Sequence, residues 1–304
     1  MQQRFNVSAS ARTLGAAALT TVLLATLSAC GGDGGGGGGT PTATVTSMSV
    51  TANKYYAPAT VTINGTGLDS TLVVSSPDCL NATLVAGSTS TTATYTCTVD
   101  GALTGTIVAK SNGTQVGSGT FTVPAPVVTM MVNNGLGVNG NILITLNPTK
   151  APLTVDNFLH YVTTGFYNNT IFHRVVSGFV MQGGGYSNPV TDLNTATLKT
   201  GTFAPIAVEN TGLSNAEWTI AMANANSAGN TVTTTSQFFI NINPSGNTNL
   251  DGSYPVFGSI TTASQAVAQA IIAAPATCVG NPLAGTTDCL PVPNVVITSA
   301  TQTQ

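Results

Sequence analysis

The sequence predicts a mostly β chain with two folded parts, a strand sandwich over residues 41–123 and a second β domain with two helices over residues 127–304. Three observations carry this. Short runs rich in Val and Thr recur through the first part, separated by turn pairs such as Asn64-Gly65 and Asn112-Gly113. Such β-branched residues suit the pleated, half-buried surface of a strand. Pro124-Ala125-Pro126 then interrupts the pattern with a stiff junction that cannot donate to a sheet ladder. Beyond it, two stretches acquire a helical period among further strands.

In chain order, residues 1–29 read as an export signal. Arg4 and Arg12 supply a positive leader, and Leu14–Thr26 is an apolar run too short to span a bilayer comfortably. Leu27-Ser28-Ala29-Cys30 resembles the lipobox of bacterial lipoproteins, in which Cys30 becomes the lipidated first residue of the mature chain. Several acyl chains make such anchoring stable. Gly31, rather than Asp, after the cysteine implies an outer-membrane address facing the periplasm. Residues 30–40 are almost pure glycine and read as a flexible tether.

The sandwich strands are expected at Thr44–Val50, Thr60–Ile63, Thr71–Val74, Thr83–Val85, Ala93–Val99, Gly105–Ala109 and Gly119–Val123. Seven short strands at this spacing suggest an immunoglobulin-like fold. Tyr95 stands two residues before Cys97, as in a tyrosine corner, yet Cys79 and Cys97 are too close in sequence for the usual inter-sheet disulfide. Without Cys30 four cysteines remain, Cys79 with Cys97 and Cys278 with Cys289, a local pair in each half. In an oxidising compartment an even number suggests two disulfides. The sequence has no CxxC and no clustered histidine, so a metal site is not expected from these cysteines.

After the junction at 124–126, Val127–Val132 and Asn141–Leu146 read as a hairpin pair. Apolar residues at 155, 158, 159 and 162 mark a helix over Pro152–Thr164, with Pro152 in its first turn and Gly165 at its end. A second helix is expected over Ala263–Ala273, stopped by Pro275. Only 6% of the 304 residues are charged and the formal charge is -3. Without a basic stripe, nucleic acid is excluded as a partner. The chain is expected to be a monomer.

The chemistry concentrates in Phe172-His173-Arg174-Val175-Val176-Ser177-Gly178-Phe179-Val180-Met181-Gln182-Gly183-Gly184. Arg174 is one of three cationic residues beyond position 125 and lies in an apolar run, where a guanidinium needs a partner. His173 reads as structural and His160 as a surface residue of the first helix.

This stretch resembles the signature of the cyclophilin family. Asn157-Phe158, Ala221-Met222-Ala223-Asn224, Ser236-Gln237-Phe238-Phe239-Ile240, Leu250-Asp251-Gly252 and Val256-Phe257-Gly258 follow the same family's order. The resemblance implies an eight-stranded antiparallel barrel capped by two helices, and peptidyl-prolyl cis/trans isomerase activity on proline-containing polypeptides with no organic cofactor or metal. It implies that Arg174, Phe179, Gln182 and Phe239 are catalytic. Val180, Ala223, Asn224, Leu250 and Tyr254 would bind substrate, with Gln237 supporting Arg174. Departures stand beside it: Asn249 where an aromatic is frequent, Val180 where Met is common, Tyr254 in place of a His, and Trp218 where Gly is usual. Two other readings stay open: a proline-peptide-binding or chaperone module with little turnover, and a surface scaffold or adhesin built on the sandwich.

Overall fold

The computed structural model describes residues 43–228, 231–281 and 286–304. The export signal, Cys30 and the glycine tether lie outside the described residues. The first part holds seven strands: β1 (Thr44–Thr51), β2 (Pro58–Thr66), β3 (Leu72–Ser75), β4 (Cys79–Leu84), β5 (Thr92–Val99), β6 (Thr104–Ser111) and β7 (Thr114–Thr122). They form two antiparallel sheets, in the orders β1-β2-β5-β4 and β3-β6-β7. Alternation drives the packing. In β5 Ala93, Tyr95, Cys97 and Val99 point inward while the threonines between them do not. The Cys79–Cys97 disulfide joins β4 to β5 within one sheet, with Cα atoms 5.4 Å apart. The Tyr95 hydroxyl donates to Leu72 O at 2.6 Å and so bonds one sheet to the other.

The second part continues with β8 (Val127–Asn133), β9 (Asn139–Leu146), α1 (Pro152–Thr163), β10 (Thr170–Val176), β11 (Val180–Ser187), β12 (Ile206–Ala207), β13 (Thr219–Ala228), β14 (Thr231–Asn241), β15 (Val256–Ile260), α2 (Thr262–Ile272), β16 (Ala276–Asn281), β17 (Thr286–Pro291) and β18 (Val295–Gln302). Eight of these strands close a ring, β11-β14-β13-β15-β9-β8-β18-β10, sealed by the β10–β11 pairing. The short β12 adds to β14, and the β16–β17 hairpin extends outward from β10.

Aromatic side chains fill the barrel where α1 packs. The Phe158 ring lies 5.9 Å from Phe238 and 4.9 Å from Phe257, and Tyr167 stands edge-on to Phe238 at 5.5 Å. Helix α1 lacks a capping side chain at Ala151. Glu209 supplies the cap from a distant loop, accepting from Thr154 N at 3.0 Å and Leu153 N at 3.3 Å. A carboxylate there satisfies orphan amides and complements the helix dipole. Gly165 ends the helix with φ of 71°.

The two parts are joined by more than the proline junction. Tyr55, fully buried, donates from its hydroxyl to Asp156 Oδ1 of α1 at 2.7 Å and accepts from Gly101 N at 3.0 Å. Gln302 Nε2 donates to Tyr55 O at 2.8 Å. His160, expected at the surface, instead sits in this seam, 3.3 Å from the Tyr56 hydroxyl and with its ring 3.9 Å from that of Phe203. The helix face it occupies is covered by the sandwich, which a helix pattern alone does not reveal.

Candidate active site

Strand register assembles the site. In the ladder Arg174 pairs with Gln182, Gln182 with Phe239, and Phe239 with Ala221. Paired residues point to the same side of a sheet, so this row crosses four neighbouring strands on the outer face of the barrel. Val180, two residues before Gln182, shares that face. Val180, Ala221, Ala223, Phe239 and Val256 form an apolar cluster separate from the main core, with Phe179, Leu213, Leu250 and Tyr254 packed at its margin.

A cavity of about 170 Å³ opens here, lined by Arg174, Phe179, Val180, Gln182, Ala223, Asn224, Phe239, Leu250 and Tyr254. Two larger depressions, of about 560 and 580 Å³, lie along the loop from Ser187 to Thr200 and beside Pro148 and Leu213. The smaller cavity is the one where a guanidinium, amides and aromatic rings converge, and chemistry outweighs size in choosing between them.

The β10–β11 turn presents Phe179, with Gly178 at φ of 68° and Phe179 N bonded to Val176 O at 3.0 Å. The Arg174 guanidinium carbon lies 5.9 Å from the centre of the Phe179 ring. Arg174 Nη2 pairs with Asp288 Oδ1 of β17 at 2.9 Å, and the two side chains are 19% and 16% exposed. Phe239 meets Tyr254 edge-on with ring centres 5.6 Å apart. The Oδ1 of Asn224 is buried without a hydrogen-bond partner, an acceptor available to a peptide N–H.

Gln237, expected to support Arg174, takes a different partner. Its Oε1 accepts from Gln182 Nε2 at 2.9 Å, so it orients the amide beside the guanidinium. His173 is 4% exposed, and burial pushes its pKa down to about 4. It is neutral at ordinary pH and faces Tyr186, with rings 4.8 Å apart, away from the cavity's lining.

A ladder of amides behind the cavity was not visible in the sequence. Asn247 Nδ2 donates to Phe179 O at 2.9 Å and to Asn241 Oδ1 at 2.7 Å. Asn241 Nδ2 donates to Asn215 Oδ1 at 3.1 Å, and Asn215 N donates to Asp251 Oδ1 at 2.7 Å. This chain ties the Phe179 turn to the loop carrying Leu250 and Tyr254. The Asn215 amide holds the Asp251 carboxyl below its ordinary value. Asp288 was missed as well. Its one local signal is a place next to Cys289, and only the strand register brings it to Arg174.

Both sequence-paired disulfides are present, Cys278–Cys289 closing the β16–β17 hairpin. Among the described residues no group of His, Cys, Asp and Glu side chains is placed to hold a metal, and no helix is long and apolar enough to cross a membrane.

Comparison with known proteins agrees with this geometry. The family described as cyclophilin type peptidyl-prolyl cis-trans isomerase/CLD matches residues 127–302. Peptidyl-prolyl cis-trans isomerase cyp18 of Streptomyces antibioticus is 40% identical over 135 residues, covering 42% of this chain and 75% of that protein. Peptidyl-prolyl cis-trans isomerase A of Dickeya dadantii is 41% identical over 40% of this chain and 60% of that protein. Peptidyl-prolyl cis-trans isomerase B of Escherichia coli is 45% identical over 34% of this chain and 58% of that protein. The match thus spans somewhat less than two thirds of the last two relatives. With a family match over more than half of its length and a signature row built around one cavity, the chain belongs to the cyclophilin-type peptidyl-prolyl cis-trans isomerases.

Proposed function

We propose that the chain catalyses cis/trans isomerisation of X-Pro bonds in exported polypeptides, with Arg174 as the catalytic donor. The observation that carries this is the row Arg174–Gln182–Phe239 around one cavity, with an apolar wall opposite the guanidinium and amides. An amide resists rotation by ~18–20 kcal/mol because its C–N bond has partial double-bond character. At the twist resonance is lost, and the prolyl nitrogen becomes pyramidal and basic. A guanidinium that bonds this nitrogen or the adjacent carbonyl binds the twisted state more strongly than either planar state, which is the condition for catalysis. Phe179, Val180, Phe239, Leu250 and Tyr254 receive the proline ring. Gln182, Ala223 and Asn224 hold the flanking backbone, and Gln237 orients Gln182. No proton is transferred and no covalent intermediate forms.

The test is a proline-peptide isomerisation assay on the full chain. Arg174→Ala is expected to lower kcat/KM about 100-fold, the usual scale for a lost transition-state donor. Peptide binding without measurable turnover would favour a binding module instead; the exposed Asn249, where relatives of this family often carry an aromatic, is the feature consistent with that reading.

The sandwich fits an immunoglobulin-like domain. Its strand orders, four then three, follow the constant-type arrangement. We place it as a spacer or binding module, with boundaries at 41–123 and the isomerase domain at 127–304. Lipidation of Cys30 and a periplasm-facing outer-membrane location complete the proposal, supported by the lipobox-like segment and two disulfides. Mass spectrometry of the mature N-terminus tests the anchor.

A further inference from the structure

The β16–β17 hairpin lies outside the barrel ring and pairs with β10 at Val175 and Cys289. Arg174 and Asp288 flank that pair on antiparallel strands, so both side chains leave the same face as diagonal neighbours, within reach of a long side chain. They meet at 2.9 Å in a setting largely closed to solvent, where a charge-assisted bond is stronger than at an open surface. Asp288 engages one terminal nitrogen of Arg174. A guanidinium has five N–H donors, so several remain for substrate, and Arg174 still lines the open cavity. The contact therefore orients the guanidinium rather than occluding it.

Among the described residues the arm joins the sheet through β10, the strand that carries Arg174. The arm is braced internally by the Cys278–Cys289 disulfide, whose second cysteine is both the paired residue and the neighbour of Asp288. We propose that Asp288 is a positioning residue for Arg174 and that the Cys278–Cys289 disulfide holds it in place, making turnover sensitive to dithiol reductants. The proposal rests on the assignment of Arg174 above. In the redox step a dithiol delivers two electrons and two protons. The S–S bond breaks to give two cysteine thiols, and the dithiol closes to its own disulfide.

The test measures kcat and KM for a proline peptide with the oxidised full chain. Asp288→Asn is expected to lower kcat about tenfold with KM changed less than about twofold, because orientation in the twisted state is lost while the pocket is kept. Asp288→Glu is expected to recover most of the rate, which a merely structural role would not require. Cys278→Ser with Cys289→Ser isolates this disulfide from Cys79–Cys97, and is expected to reproduce the loss in kcat. Adding Asp288→Asn to it should then cost nothing further, since both act through one contact. Wild-type kcat in Asp288→Asn, a loss carried wholly by KM, or multiplying effects of the two changes would each overturn the brace. Arg174→Ala separates the failures. Wild-type turnover in that variant overturns the site assignment and the brace together. Its loss alongside wild-type turnover in Asp288→Asn overturns the brace alone.

Discussion

Replacing Asp156 by Asn should make the protein more stable at neutral and alkaline pH, with little change in acid. Asp156 lies in the seam between sandwich and barrel, hydrogen-bonded to Tyr55 and facing Asp100, with Glu209 also nearby. Burial first, then Asp100, raise its pKa from 3.8 to about 9. The folded protein therefore keeps a proton that the unfolded chain has released. Between these two values the native state binds more protons, so stability falls as pH rises, by at most ~1.4 kcal/mol per pH unit. At pH 7 the ceiling is ~4 kcal/mol, from the gap between 7 and the ordinary value of 3.8. Asp156 keeps part of its surface in contact with solvent, and solvent relaxation reduces the expected effect to about 2 kcal/mol. Asn mimics the protonated acid: its oxygen accepts from Tyr55 and its amide donates to Asp100. Urea denaturation at pH 5 and pH 8 should show wild type losing stability across the interval and Asp156→Asn holding level. Parallel pH dependence in the two proteins would refute the assignment of the bound proton to this seam.

Other consequences are smaller in scope. Glu209→Ala removes the cap of α1 and should cost about 1 kcal/mol in urea denaturation. Asn247→Ala withdraws both donors from Phe179 O and Asn241 Oδ1 in a site 2% exposed. It should cost about 2 kcal/mol and also lower kcat/KM, because the Phe179 turn loses its anchor. At Gly185 an added Cβ would stand 2.7 Å from Gln237 Cδ. Gly185→Ala should therefore displace Gln237 and its bond to Gln182, reducing kcat/KM severalfold at nearly unchanged melting temperature.

Periodicity made the elements legible. The seven sandwich runs and both helices could be read because inward residues alternate in strands and recur by turns in helices, as β5 and α1 show. The lining of the cavity was legible through an ordered set of short motifs, with Arg174 conspicuous as a cation in an apolar run. Contacts between residues distant in sequence were not. Asp288 reaches Arg174 only through the pairing of Val175 with Cys289. Asn215, Asn241 and Asn247 look like loop residues in a chain full of asparagine, and only folding turns them into a buried ladder. His160 and Tyr55 likewise acquire meaning from a seam that no local pattern marks.

The scarcity of charge clarifies why that ladder is made of amides. With 6% of residues charged, the barrel cannot fasten its loops by networks of ion pairs. Its few carboxyl groups meet particular partners: Glu209 at the start of α1, Asp251 at Ser214 and Asn215, Asp288 at Arg174. Neutral amides do the remaining fastening between the Phe179 turn and the loop of Leu250. Their hydrogen bonds carry no titratable proton and are not screened by salt as exposed charges are. Asp251, at the outer end, is the one member that titrates, and its lowered pKa means that its contribution is present above the ordinary carboxyl value and lost as pH falls through the depressed one. The amide scaffold of the pocket is thus insulated from changes around neutral pH, while the seam at Asp156, where stability falls as pH rises, is not.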